Sequence, residues 1–139
     1  MKATELRIGN LIEYKIEDEL DEIKEWWELN TVDAFDLQDL TWLDSNPEDA
    51  YFRPIKITEE WLLKFGFENI TGVDYILHID VDFKLILIPA DAFYPQIDKA
   101  DDIGWSSISL NKIEYIHQLQ NLYFALTGKE LAQVSEGKN

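Results

Sequence analysis

The chain contains no cysteine, which excludes a disulfide framework, a thiolate metal site and a cysteine nucleophile. It has only two histidines, and only 12 lysines and arginines stand against 28 acidic residues, so the net charge is −16. That balance opposes binding to nucleic acid or to anionic membranes, and it favours basic or apolar protein surfaces as partners. The longest uninterrupted apolar run covers only residues 122–126, far short of the ~20 residues of a membrane-spanning helix.

What remains is a globular composition. With 46% hydrophobic and 13% aromatic residues, the 139 residues contain enough apolar surface for a core. The opening residues Met-Lys-Ala-Thr-Glu-Leu-Arg have no apolar signal core, so we expect a cytoplasmic protein. We expect a single domain over 1–139, with a β-rich subdomain at 1–56, an α+β subdomain at 57–131 and a frayed tail at 132–139.

Negative charge is concentrated in one segment. Residues 13–50 hold fourteen acids against two lysines, a net charge of −12, and the remaining residues carry only −4. The same segment contains Trp26, Trp27 and Trp42. Tryptophans beside acids are suited to a binding surface, although five tryptophans also suit the core of a small domain.

The secondary structure of the acidic segment is ambiguous. A strand is expected over about 10–15, after a Gly-Asn turn. Within 16–29, apolar residues follow helical spacing, but three pairs of acids four residues apart oppose a helix. A short helix and an ordered acidic loop both remain open there, and two short strands are favoured from residue 26 to about 43.

Residues 54–67 predict an extended entry followed by a short helix. Thr58 is a good N-cap, and the two glutamates after it suit the positive end of the helix dipole. Gly66 can end the helix in the left-handed conformation. We therefore expect a helix from Glu59 to about Phe65.

Residues 74–88 predict a β-hairpin, because apolar residues occupy every second position on both sides of Val81. A two-residue turn at 81–82 would pair Ile79 with Lys84 and mix the two faces. An odd-numbered loop centred on Val81, or one long bent strand, keeps one face apolar. The pairs expected from that loop are Ile79–Phe83, Leu77–Leu85 and Tyr75–Leu87.

The C-terminal third predicts a loop, a short strand and a helix. Residues 89–104 contain two prolines and a glycine and are expected to be a loop, and 105–110 could form a last short strand. Asn111 is the expected N-cap of a helix over about 112–127 that ends at Gly128. The helix positions expected to face the core are Ile113, Ile116, Leu119, Leu122, Tyr123 and Leu126.

Together these elements predict a single α+β domain. A small, curved antiparallel β unit, for which a partial SH3-like barrel is one candidate form, comes first. A helix, a β-hairpin and a C-terminal helix follow, and we expect the last helix to pack on the apolar face of the hairpin.

Three distinctive strings carry a resemblance. They are Glu-Leu-Arg-Ile-Gly-Asn at 5–10, Pro-Ile-Lys-Ile-Thr-Glu-Glu-Trp-Leu-Leu-Lys-Phe-Gly-Phe at 54–67, and Ile-Glu-Tyr-Ile-His-Gln-Leu-Gln-Asn-Leu-Tyr-Phe-Ala-Leu-Thr-Gly-Lys-Glu-Leu at 113–131. They resemble an uncharacterised family of anaerobic gut bacteria, their phages and their mobile elements. The resemblance implies a β-rich N-terminal unit followed by a helix, a sheet and a C-terminal helix. It implies no activity, cofactor or catalytic residue.

Seven acids between residues 17 and 28 form a candidate partner-binding face. If helical, these twelve residues would span roughly 18 Å, or one acid per ~2.6 Å, against one phosphate per ~1.7 Å of duplex DNA. Such a face could mimic nucleic acid and occupy the basic cleft of a nuclease or repressor. A solvated face that keeps the protein soluble is the competing interpretation. The seven are Glu17, Asp18, Glu19, Asp21, Glu22, Glu25 and Glu28.

His117, Gln118 and Asn121 form a second candidate partner-binding surface, on the polar side of the C-terminal helix. Helix packing and capping are the alternative roles for these three side chains. A zinc site would require His117 and His78 to meet near carboxylates, and a plain surface or boundary position is the simpler interpretation of each.

Other candidate motifs have simpler structural explanations. Asp80 and Asp82 could bind Mg²⁺ or Ca²⁺, but turn chemistry explains them without a metal. The string Gly-Trp-Ser-Ser-Ile at 104–108 lacks the second glycine of a nucleophile elbow. We therefore predict no catalytic residue, no metal and no cofactor.

The sequence thus predicts a non-enzymatic accessory protein of a phage or mobile element that acts by protein–protein contact. Its expected partner is a protein with a basic or apolar surface, and the chain itself is expected to be a monomer or weak dimer. The alternative is an acidic nucleic-acid mimic that inhibits a host DNA- or RNA-binding defence protein, of the anti-restriction or anti-CRISPR type. A metal-dependent enzyme is the second rival.

Overall fold

The computed structural model describes residues 5–18, 24–38 and 52–134. These residues form two antiparallel sheets with accompanying helices, so the predicted α+β class is confirmed. The likeness to an SH3 barrel stays a prediction. Among the described residues, no helix has the length and hydrophobicity that a bilayer crossing requires.

The described residues contain seven strands and three helices. The strands are β1 (Leu11–Asp18), β2 (Lys24–Thr31), β3 (Phe52–Arg53), β4 (Tyr75–Asp80), β5 (Phe83–Pro89), β6 (Phe93–Ala100) and β7 (Trp105–Ser109). The helices are α1 (34–38), α2 (Glu59–Lys64) and α3 (Ile116–Thr127).

The chain divides into two compact units. Unit 1 comprises Met1–Lys56 and Tyr115–Glu130, and unit 2 comprises Ile57–Glu114 and Leu131–Asn139. Helix α3 therefore belongs to unit 1, whereas the sequence grouped it with the hairpin.

Unit 1 is built on a three-stranded antiparallel sheet in the order β2-β1-β3, and α3 contacts β1. Ile12 on β1 and Val32 just after β2 are fully buried, and partly buried apolar side chains pack against them. On α3 the fully buried apolar residues are Ile116 and Leu119.

The acidic segment forms strands where the sequence left a helix or a loop open. The register of β1 and β2 runs from Leu11–Thr31 to Asp18–Lys24, so residues 16–18 and 24–29 are extended. A helix there would have placed several acids one turn apart, whereas the two-residue period of a strand sends neighbouring acids to opposite faces.

Helix α1 replaces the strand that was expected after β2. Asp33 caps it, because its Oδ1 accepts from the Asp36 N–H at 2.9 Å and the Asp36 carboxylate accepts from the Asp33 N–H at 2.9 Å. This reciprocal pair resembles a capping box, which the sequence interpretation overlooked. The remainder of that prediction, including Trp42, lies outside the described residues.

Helix α2 in unit 2 confirms its prediction. Thr58 is the N-cap and its hydroxyl accepts from the Trp61 N–H at 3.3 Å. The helix ends at Lys64, and Gly66 follows with φ +91°. Its buried residue Leu62 lies in the core of unit 2, together with Leu85 and Leu87 of β5.

The hairpin of β4 and β5 confirms the predicted register except at its tip. Tyr75 pairs with Leu87 and Leu77 with Leu85, but Asp80 rather than Ile79 lies opposite Phe83. The predicted odd-numbered loop was wrong: the turn is the two-residue turn at 81–82, and a register shift between residues 78 and 80 keeps the apolar face together. One extra residue in a bulge has the same effect as an odd loop.

Strand β6 corrects the prediction that 89–104 is a loop. Pro95 pairs with Leu87 on β5, and its carbonyl accepts from the Leu110 N–H at 2.9 Å, one residue after β7 ends. Because proline has no N–H, Pro95 cannot donate the return hydrogen bond to the Leu110 carbonyl, but this bond would lie beyond the last β6–β7 pair, so the strand tolerates its loss. The sheet of unit 2 therefore has the order β4-β5-β6-β7.

Helix α3 begins four residues later than predicted and ends where predicted, before Gly128 at φ +71°. Asn111 is not its cap, because Ile113 and Glu114 are committed to extended pairing: Ile113 exchanges two backbone hydrogen bonds with Phe93, and the Glu114 carbonyl accepts from the Ile57 N–H. Tyr115 is the N-cap instead.

Candidate protein-binding surface

Strand geometry divides the predicted acidic face between the two sides of the sheet. Glu17 lies directly opposite Glu25 in the β1–β2 register, so the two share one face. Asp18 and Glu28 fall on the other face, because side chains alternate along a strand. The other three predicted acids, Glu19, Asp21 and Glu22, lie outside the described residues.

The face with Glu17 and Glu25 also carries an organised aromatic group. The Arg53 guanidinium lies 4.0 Å from the centre of the Trp27 ring, and its Nε donates to Glu13 Oε1 at 3.0 Å. Leu29 lies opposite Glu13 on the same face and is 50% exposed. We call the surface formed by Glu13, Lys15, Trp27, Leu29 and Arg53 the Trp27 face, and Glu17 and Glu25 occupy the register positions at one end of it.

The opposite face of β2 carries Trp26. This side chain is 41% exposed, and its indole N–H donates to Glu28 Oε1 at 2.8 Å. Across the ladder from Trp26 lies Ile16. Among the seven acids predicted to bind a partner, only the side chain of Glu28 is described, and it hydrogen-bonds to Trp26 on the same strand.

The predicted helix surface on α3 is largely used inside unit 1. His117 is buried at 1% exposure, although the sequence placed it on the polar side of the helix. Gln118 Oε1 accepts from the Tyr115 N–H at 3.0 Å and so caps the helix. Asn121 is half-buried, accepts from Asn10 Nδ2 at 2.9 Å and donates to the Glu5 carbonyl at 2.9 Å.

A polar network joins the N-terminal segment to α3, and the sequence interpretation did not predict it. Gln120 is 3% exposed, and its Oε1 accepts from the Leu11 N–H at 2.7 Å. Asn10 is fully buried, and its Oδ1 accepts from the Arg7 N–H at 2.6 Å. Arg7 in turn forms an ion pair with Glu130. An Arg, an Asn and a Gln in the resembling strings were the available signal, but sequence spacing alone does not bring them together.

The buried imidazole of His117 stacks on Tyr115, with ring centres 5.8 Å apart and nearly parallel planes. Neither ring nitrogen hydrogen-bonds to any residue that the structure describes. Burial lowers the pKa of His117 below its ordinary value, and the negative charge of Glu5 offsets part of that lowering. The neutral form of the imidazole is therefore favoured in the folded chain.

The candidate metal residues take ordinary positions. Asp80 Oδ1 accepts from the Val81 N–H at 2.7 Å, which is turn chemistry, and His78 is an exposed position opposite Lys84. In the described part of the chain, no three His, Asp or Glu side chains are placed to hold one ion. A depression of about 180 Å³ at the turn after β6 falls below the ~300–1,000 Å³ of typical small-molecule sites.

Comparisons with protein-family models, with curated proteins and with solved structures found no match for this chain.

Proposed function

We propose that this chain is a non-enzymatic binding protein that acts by protein–protein contact, and that the Trp27 face is its contact surface. One observation carries the proposal: the Trp27 ring is held under Arg53, which Glu13 holds in turn, beside a half-exposed Leu29. Tryptophan and arginine are enriched among the residues that dominate binding energy. Side chains already fixed in place lose less entropy on binding than mobile ones.

The charges around this face define the partner. Arg53 is paired with Glu13, Lys15 lies opposite Trp27 on the same face, and the register places the positions of Glu17 and Glu25 at one end of that face. A matching surface would have an apolar centre to cover Leu29 and Trp27 and basic residues to meet the two glutamates. The resemblance of 54–67 and 113–131 to proteins of phages and mobile elements supports a bacterial cytoplasmic partner.

A capture experiment tests this proposal. The tagged chain would be incubated with a bacterial lysate, and bound proteins would be quantified by mass spectrometry for the wild type, Leu29→Ala and Leu63→Ala. Leu29 and Leu63 are 50% and 48% exposed, so the two truncations are matched in chemistry and exposure. We expect recovery of the specific partner to fall several-fold with Leu29→Ala, whose affinity should be about tenfold lower, and to stay unchanged with Leu63→Ala. Equal retention by both variants would contradict the proposal.

The nucleic-acid mimic stays the second candidate, supported by the net charge of −12 between residues 13 and 50. Its original geometric basis, a helical row of acids, is replaced by strands in the described residues. A mimic depends on its acids, so its complex should weaken by a factor of ~10³–10⁵ between 50 and 200 mM salt. Reversing Glu17 and Glu25 to lysine should abolish it, whereas the control reversal of Glu59 and Glu60 should not.

A further inference from the structure

Strand β7 of unit 2 is an open sheet edge. All five of its residues are exposed, including Trp105 at 50% and Ile108 at 61%, and no described strand pairs with its outer side. Residues 105–110 contain no charge and no proline, and the pairing of β7 with β6 is free of bulges. Charged side chains, prolines and bulges are the features by which natural proteins prevent an edge strand from pairing with another chain, and β7 has none of them.

The opposite edge of the same sheet has such protection. Glu68 and Ile76 exchange two backbone hydrogen bonds of 2.8 Å, so the outer side of β4 is already occupied at Ile76. A register shift interrupts β4 between residues 78 and 80, and the strand ends at the charged Asp80. Protection of one edge and not the other indicates that β7 is kept available for pairing.

The free hydrogen-bonding groups of β7 can be identified from the alternation of the ladder. Gly104 exchanges backbone bonds with Asp101, and the Leu110 N–H donates to Pro95. In an antiparallel pair every second residue bonds to the neighbouring strand, so the even-numbered residues of β7 bond to β6. The odd-numbered residues Trp105, Ser107 and Ser109 therefore direct their N–H and C=O groups outwards.

We propose that β7 pairs with β7 of a second copy of this chain, antiparallel, about a two-fold axis at Ser107. In that register Ser107 meets its own copy, and Trp105 meets Ser109 of the second copy in two equivalent pairs. All three outward residues of each chain are then used, with two hydrogen bonds in each pair. A register shifted by two residues would lose one of the three pairs.

Side-chain size and charge both fit a second copy. Every large residue of β7 lies opposite a serine in this register, because Ile108 meets Ser106 and Trp105 meets Ser109. The chains carry −16 each and repel, but the strand itself is uncharged, so the contact places no like charges directly opposite each other. Salt screens the long-range repulsion and should therefore strengthen the dimer. The Trp27 face uses other residues, and salt should weaken partner binding there modestly by screening the glutamates.

Sedimentation equilibrium of matched variants tests the pairing. The wild type is expected to dimerise reversibly below about 1 mM, and more tightly at about 1 M salt, where the Debye length is about 3 Å. Ile108→Lys should weaken the dimer at least about tenfold. The control Ile70→Lys makes the same change at a position that is 71% exposed in the loop before β4, and it should dimerise as the wild type does.

A second pair of variants isolates the backbone. The Ser107 hydroxyl donates to Asp98 Oδ1 at 2.6 Å, and both Ser107→Ala and Ser107→Pro remove that bond. Only the proline removes the outward N–H, so the alanine variant should dimerise and the proline variant should not.

Hydrogen exchange then locates the contact. The amides of Trp105, Ser107 and Ser109 should gain protection as the protein concentration rises, while those of Ser106 and Ile108 should not change. A chain that stays monomeric up to about 1 mM would overturn the proposal, and the exposed edge would then be a candidate site for a strand of another protein. A dimer that Ile108→Lys leaves intact, or one without the odd–even pattern of protection, would overturn it as well.

Discussion

Replacing Gln120 by alanine tests whether the polar network on α3 holds unit 1 together. The Gln120 side chain is 3% exposed, its Oε1 accepts from the Leu11 N–H at 2.7 Å, and its Nε2 donates to the Gly9 carbonyl at 3.4 Å. The alanine variant removes both contacts at the point where β1 begins. An exposed glutamine would lose nothing comparable.

The expected loss follows from the groups left behind. The Leu11 N–H would be left without an acceptor in a closed environment, which costs about 1–3 kcal/mol. Removing the buried stem adds about 1 kcal/mol of lost apolar burial. Asn10 Nδ2 would also lose its 3.4 Å contact with Gln120 Oε1, but it keeps its 2.9 Å hydrogen bond to Asn121, so this loss adds little to the free-energy cost. We therefore expect the free energy of unfolding to fall by about 2–4 kcal/mol.

Urea titration followed by tryptophan fluorescence measures this loss, because Trp26 and Trp27 lie in unit 1. Gln133→Ala is the matched control, since Gln133 is exposed, and it should change the unfolding free energy by less than about 0.5 kcal/mol. A loss below about 1 kcal/mol for Gln120→Ala would show that the network does not support the fold.

Three further predictions concern other parts of the chain. The wild type should lose stability as the pH falls below about 6.5, because His117 takes up a proton in the unfolded chain more readily than in the folded one. This histidine should contribute a slope of at most about 1.4 kcal/mol per pH unit to the free energy of unfolding. Urea titrations between about pH 5 and 7.5 should show a shallower slope for His117→Phe, and equal slopes would contradict the prediction. Leu62→Ala should lower the free energy of unfolding by about 2–5 kcal/mol, and a loss under about 1 kcal/mol would show that Leu62 does not lie in the core of unit 2. Gly66→Ala should cost about 1–2 kcal/mol in the same titration, because φ is +91° and the new Cβ would lie 3.2 Å from Val134 Cγ1; unchanged stability would refute that reasoning.

The parts of the fold that the sequence predicted well depend on local chemistry. Thr58 and Gly66 bracket α2 because a cap and a left-handed glycine act within one helical turn. The alternation around Val81 set the register of the hairpin over most of its length, because one misplaced residue would have turned every apolar side chain outwards.

The parts that it missed depend on contacts distant in sequence. Pro95 argued for a loop, yet its position opposite the end of β7 makes it acceptable in β6. His117 was predicted to lie on the polar side of its helix, whereas it is buried and stacks on Tyr115, and the neighbouring Gln120 is buried in a tertiary network. The Trp27 face required the pairing of β1 with both β2 and β3, which brings Arg53 beside a tryptophan 26 positions earlier in the chain.

The affinity of the captured partner for the wild type and for Leu29→Ala tests the proposed function most directly. Calorimetry should show a dissociation constant about tenfold higher for Leu29→Ala than for the wild type or Leu63→Ala, since a central apolar contact contributes more than about 1 kcal/mol. The wild-type affinity should change by less than about tenfold between 50 and 200 mM salt. An affinity that Leu29→Ala leaves unchanged, but that falls a thousandfold or more over that range of salt, would contradict the account and favour the mimic.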